Sequence, residues 1–245
     1  MPLRVVEDAP VPATPVLEAR SLSLSYGERE VLSGVEMTFY RGDGVLALTG
    51  PNGSGKSTFL RSCVGLVAKR AGSLRVLGRE IGGLGFRQAL RAVGWAPQHR
   101  SVGGIELTVR DYVGFGRRAG RGLLSPFGTS DRSAVDAAME TCGIAELANR
   151  AVRELSGGQY QRASIARSLA SDPELLLLDE PTTHLDADGR RSVADLLARI
   201  FSERKLTLAL ASHDPALLAL CDTFWAFSGG NVRPCAFKDL EVNLG

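Results

Sequence analysis

Apolar positions change period several times along the chain. Leu17, Ala19, Leu22 and Leu24 predict one or two edge strands, and Val35–Tyr40 predicts another. Arg41-Gly42-Asp43-Gly44 reads as a turn, and Val45–Thr49 as an apolar strand entering a glycine-rich loop. Between Lys56 and Val67, Leu60, Cys63, Val64 and Val67 recur at helical spacing. From about 86 to 165, Arg and Gly punctuate the chain and strands are hard to find, so this stretch reads as a mostly helical insertion. Within it, Ser130 or Asp131 caps a helix running to Cys142, with Gly143 as its stop.

Beyond the insertion, Leu175–Asp179 reads as a buried strand. Arg190–Phe201 reads as a helix whose stripe is Val193, Leu196, Leu197, Ile200 and Phe201. Leu206–Ser212, a short helix Pro215–Cys221, and a strand Phe224–Phe227 turned by Gly229-Gly230 complete the pattern. Strands alternating with helices imply an α/β fold with a parallel sheet covered on both faces. Residues 1–15 carry four prolines and read as a flexible lead-in to one domain spanning about 16–240.

Composition narrows the class. With 29 basic and 27 acidic residues the net charge is +2, which argues against a strongly basic nucleic-acid binder. No apolar stretch approaches the roughly 18 residues that span a bilayer, and the N-terminus has no apolar core of a signal peptide. Cys63, Cys142, Cys221 and Cys235 lie far apart and form no CxxC pair, so they read as stray thiols in a reducing compartment.

Three motifs carry chemistry. Gly50-Pro51-Asn52-Gly53-Ser54-Gly55-Lys56-Ser57-Thr58 matches G-x-x-x-x-G-K-[ST], placed between an apolar strand and an amphipathic helix. Its backbone N–H groups would close around phosphates at a positive helix end. Lys56 would reach the β/γ-phosphates, and the Ser57 hydroxyl would hold Mg²⁺. Leu175–Leu178 followed by Asp179-Glu180 exposes two acids at a strand's carboxyl end, where ligands bind in open α/β sheets. Adjacent strand residues point opposite ways, so Asp179 would serve the Mg²⁺ shell and Glu180 a water attacking the γ-phosphate. Leu155-Ser156-Gly157-Gly158-Gln159 precedes a helical run and reads either as an ordinary helix cap or as a second anion cradle. His99 and His184 read as surface or satisfied core residues. Trp95 and Trp225 read as core.

Taken in order, these motifs resemble an ATP-binding cassette (ABC) ATPase over about 16–233. The resemblance implies a RecA-like parallel-sheet core, an antiparallel β edge subdomain and a helical subdomain at about 86–165. Gly50–Thr58 resembles the Walker A loop, Gln98 the Q-loop glutamine, and Leu155–Gln159 the signature sequence. Asp179 and Glu180 resemble Walker B and the catalytic glutamate. Thr183-His184-Leu185-Asp186 resembles the D-loop, and His213 the switch histidine. Tyr26 stands where the family keeps an aromatic on adenine.

The implied machine is a head-to-tail dimer using ATP and Mg²⁺, with Ser57, Asp179 and Gln98 around the metal. Ser156, Gly157, Gly158 and Gln159 of one copy would meet the γ-phosphate bound by the other. The resemblance also implies separate membrane permease subunits, a location on the cytoplasmic face of the membrane, an extracytoplasmic substrate-binding protein, and no nucleic acid. Leu107–Val113, Gly116-Arg117 and the run through Phe127 and Asp131 resemble the manganese, zinc and iron import ATPases, with iron-siderophore and cobalamin ATPases as neighbours. Ile105-Glu106-Leu107 departs from the Phe-Pro of the metal type, so another cargo stands beside metal import. The Thr182–Asp186 run also resembles soluble translation ATPases, which keeps a non-transport role open.

Overall fold

The computed structural model describes residues 14–98, 106–118, 126–204 and 206–239. In chain order the elements are β1 (Pro15–Tyr26), β2 (Arg29–Tyr40), β3 (Val45–Thr49), α1 (Lys56–Cys63), β4 (Lys69–Val76), β5 (Arg79–Glu80), α2 (Phe86–Ala89) and β6 (Val93–Ala96). There follow α3 (Val109–Gly114), α4 (Thr129–Thr141), α5 (Gly157–Leu169), β7 (Leu175–Asp179), α6 (Ala187–Glu203), β8 (Thr207–Ala211), α7 (Pro215–Leu218), β9 (Thr223–Ser228) and β10 (Asn231–Cys235).

Two sheets form. One is antiparallel, in the order β2-β1-β4-β5; the other runs β10-β9-β3-β8-β7-β6, parallel except for β10. The central strands are buried on both faces, and their pleat sorts side chains into two cores. Leu176 and Leu178 of β7, with Leu208 and Leu210 of β8, face the core made with α5 and α6. Leu175, Leu177, Ala209 and Ala211 face the other, shared with α1 and the antiparallel sheet.

Several elements differ from their sequence expectations. Leu17–Leu24 lie in one interior strand of the antiparallel sheet, not at its edge, because β4 pairs on the far side. The helix expected from Lys56 to Val67 ends at Cys63. Gly65 takes a left-handed φ of +75°, and its N–H and that of Leu66 close on the carbonyls of Ser62 and Arg61 at 2.9 Å each. This frees Lys69 to start β4.

The stretch 86–165 is not strand-free: Val93–Ala96 forms β6, paired in register with Leu175–Leu178 in the main sheet. Four residues are too short a run for period to reveal, and the pairing lies nearly the length of the insertion away. The helix expected from 130 starts at Thr129; Gly128 is its cap, donating its N–H to Asp131 Oδ2 at 3.0 Å. Gly143 closes it with φ +62°.

Candidate functional site

The carboxyl ends of β3, β6, β7 and β8 converge. Each carries a loop that begins with a residue singled out above: Gly50, Gln98, Glu180 and His213 follow within two residues of their strands. A cleft of about 350 Å³ opens there, lined by residues 52–58 and by Gln98, Glu180, Thr183 and His213.

The phosphate loop holds its shape through backbone constraints. Gly50, Gly53 and Gly55 have φ values of +129°, +78° and +108°, a region that penalises any side chain. A Cβ on Gly50 would stand 2.1 Å from the carbonyl oxygen of Phe227, while one on Gly53 would meet open space. Lys56 opens α1, is nearly buried, and donates from Nζ to the carbonyls of Gly50 (2.7 Å) and Pro51 (3.1 Å). Burial pushes its ammonium below the usual lysine range, opposed by Glu180 and Asp179.

Ser57 Oγ donates to Asp179 Oδ1 at 2.7 Å. Asp179 is fully buried, and burial raises its carboxyl above the usual range, opposed first by the Ser57 hydrogen bond and then by Arg61. Its Oδ2 is buried without a hydrogen-bond partner. A hydroxyl and a carboxylate with one unsatisfied oxygen are a donor set that a magnesium ion takes when phosphates complete its shell. The residues present fit that ion.

Glu180 sits one residue beyond β7 with φ +49°, an uncommon angle for a side-chain-bearing residue. Its N–H donates to Ala211 O at 2.9 Å, and its side chain is 7% exposed. Oε2 lies 3.0 Å from His213 Nδ1 and accepts from Thr183 Oγ1 at 3.3 Å. Oε1 is buried and makes no hydrogen bond; Lys56 Nζ is 4.0 Å from it.

The remaining predicted residues lie outside this cleft. Ser156 caps α5 through a reciprocal pair with Gln159: Gln159 N–H to Ser156 Oγ at 3.3 Å, and Ser156 N–H to Gln159 Oε1 at 3.1 Å. Gly157 and Gly158 open α5 against Leu185 and Gly189. Asp186 caps α6 through Gly189 N–H at 2.8 Å. Tyr26 ends β1, 48% exposed. Gly50 lines a second hollow with Asn52 and His213. Trp95 and Trp225 are partly buried against the core, as expected. His99 lies outside the described residues. Thr183, read from the motifs only as part of a D-loop, donates its hydroxyl to Glu180 Oε2, a contact set by the turn that follows β7.

A phosphate loop after a parallel strand, with a hydroxyl–carboxylate pair and a second carboxylate on the neighbouring strand ends, defines the class: an α/β nucleotide hydrolase of the P-loop kind. The family model described as ABC transporter matches residues 32–183, and the chain belongs to that family. The Bacillus subtilis (strain 168) probable siderophore transport system ATP-binding protein YusV is 35% identical over 198 residues, covering 81% of this chain and 71% of that one. The Listeria innocua zinc uptake system ATP-binding protein ZurA is 33% identical over 201 residues, covering 81% and 77%. A dimeric ATP-binding cassette solved in a post-hydrolysis state with ADP and Pi superposes with a TM-score of 0.77 at 25% identity, covering 89% of this chain and 97% of that one. The chain is the ATP-binding subunit of an ABC transporter, and its activity is that of an ATPase. Among the described residues no helix is long and apolar enough to cross a membrane.

Proposed function

We propose that two copies of this chain, docked head to tail on separate permease subunits at the cytoplasmic face of the membrane, hydrolyse ATP to drive import of a metal ion or metal chelate. The observation that carries the residue roles is the division of labour just described. The phosphate loop, Asp179, Glu180 and His213 meet at one end of the sheet, while Ser156–Gln159 caps a helix outside that cleft. The Gly157 and Gly158 N–H groups at the start of α5 would then serve a triphosphate bound by a second copy.

Lys56 and the loop 50–58 hold the phosphates. Ser57, Asp179 and Gln98 would hold Mg²⁺, which when bound would neutralise phosphate charge. Glu180 takes the proton of the attacking water, His213 hydrogen-bonds the γ-phosphate, and Tyr26 stacks on adenine. Asp186 shapes the D-loop by capping α6. The cargo class follows the relatives, named for siderophore and zinc systems; an extracytoplasmic substrate-binding protein belongs to such a system. The domain runs from about residue 16 to 240, with its helical part after Gln98 engaging the permease.

The test has two arms. Glu180→Gln saturated with ATP and Mg²⁺ should turn over at least about a hundredfold more slowly and double its mass by light scattering. A monomeric, fully active variant removes both the base and the shared site. For the cargo, the chain purified from native membranes should bring a permease whose ATPase responds to a binding protein loaded with zinc, manganese, iron or an iron chelate. Ribosomes or DNA in its place would reject transport.

A further inference from the structure

The two oxygens of Glu180 are not equivalent. Oε2 has two neighbours, His213 Nδ1 and Thr183 Oγ1, whereas Oε1 has no hydrogen bond and faces the cleft side where Lys56 stands. The two holders differ in how firmly they are placed. His213 comes from the loop after β8 and its side chain is 60% exposed, so little packing opposes its swing. Thr183 belongs to the same turn as Glu180, closed by its own N–H on the Glu180 carbonyl at 3.2 Å and continued by Leu185 N–H on Thr182 O at 3.2 Å.

The second imidazole nitrogen can reach a γ-phosphate, but an exposed side chain on its own loop is a looser anchor than a hydroxyl in the carboxylate's own turn. We propose that Thr183 is a positioning residue for hydrolysis: its hydroxyl holds Glu180 Oε2, so that Oε1 stays presented to the attacking water when His213 turns to the phosphate. This rests on the reading of Glu180 as the proton acceptor.

The pair Thr183→Val and Thr183→Ser, made in the full chain, separates hydroxyl from shape. Steady-state ATPase should show kcat of Thr183→Val about three- to tenfold lower with KM within about twofold, the scale of one ordinary lost hydrogen bond. Thr183→Ser should retain most of the rate. In single-turnover assays, adding Thr183→Val to Glu180→Gln should cost nothing further, because the carboxylate it orients is gone. A Val variant within twofold of wild type, a Ser variant as slow as Val, or an equal loss in the Glu180→Gln background would each overturn the proposal. Glu180→Gln with undiminished turnover would instead remove the reading beneath it, whereas a slow Glu180→Gln beside an unaffected Thr183→Val would sink the positioning role alone.

Discussion

Ser57 and Asp179 stand 122 positions apart in the chain and 2.7 Å apart in space, hydroxyl to carboxylate. The contact exists because β3 and β7 flank β8 in one parallel sheet, in register from Val45 with Leu208 and from Leu175 with Thr207. The last residue of β7 then meets the first turn of the helix that follows β3.

That pairing predicts how Asp179→Asn behaves. Burial disfavours the charged carboxyl, and Oδ2 has no donor. A raised folded pKa means the native state binds the proton more tightly than the unfolded chain. The group's contribution to stability is therefore greatest at acid pH and falls as the pH rises through the carboxylate range. The neutral amide escapes that loss. Without nucleotide, Asp179→Asn should melt at or above the wild-type temperature near pH 7, and the difference should close at acid pH. Its Mg²⁺-dependent turnover should fall at least about a hundredfold. Calorimetry and a coupled ATPase assay check the two halves; a strongly destabilised apo variant contradicts the first.

Lys56 titrates the other way. Burial lowers its pKa, so the empty native state gives up this proton before the unfolded chain does. Phosphate oxygens would favour the charged form again. Binding of ATP at alkaline pH should take up a proton and weaken as the pH rises, seen by calorimetry in buffers of different ionisation heat. Lys56→Ala should abolish that uptake and lower turnover by about a hundredfold or more; unchanged turnover would remove Lys56 from the site.

Mixing complementary defects tests the shared site. Ser156→Arg blocks one cradle and Lys56→Ala the other, so a mixed dimer contains at most one intact pair of loops. Turnover of the mixture should reach no more than about half of wild type. No recovery on mixing would mean that each copy completes its own site.

Gly50 offers a stability test at the same place. With φ +129° and only 2.1 Å from a Cβ to Phe227 O, Gly50→Ala must shift either the loop or β9. The expected cost is about 2–4 kcal/mol in denaturant unfolding, with nucleotide affinity lost in parallel. A variant as stable as wild type would show that the loop relaxes freely.

Much of the local geometry was legible along the chain. The glycines and Lys56 of the phosphate loop, the acids after Leu175–Leu178, the Ser156 cap and the Gly143 stop are short-range features, each set by backbone angles or by one hydrogen bond within a few residues. The period of the long helix α6 was equally plain, since 17 residues repeat its stripe often enough to read. What needed the tertiary structure was partnership. β6 is too short to announce itself and exists because Leu175–Leu178 offers it a ladder. β1 became an interior strand because β4 returned beside it. The coupling of Ser57 to Asp179, and of Glu180 to His213, is a matter of how the strands are ordered in the sheet. Sequence spacing encodes local geometry through torsion angles, but strand order follows from burying both faces of the whole sheet at once, and that sum is only decided when the chain is folded.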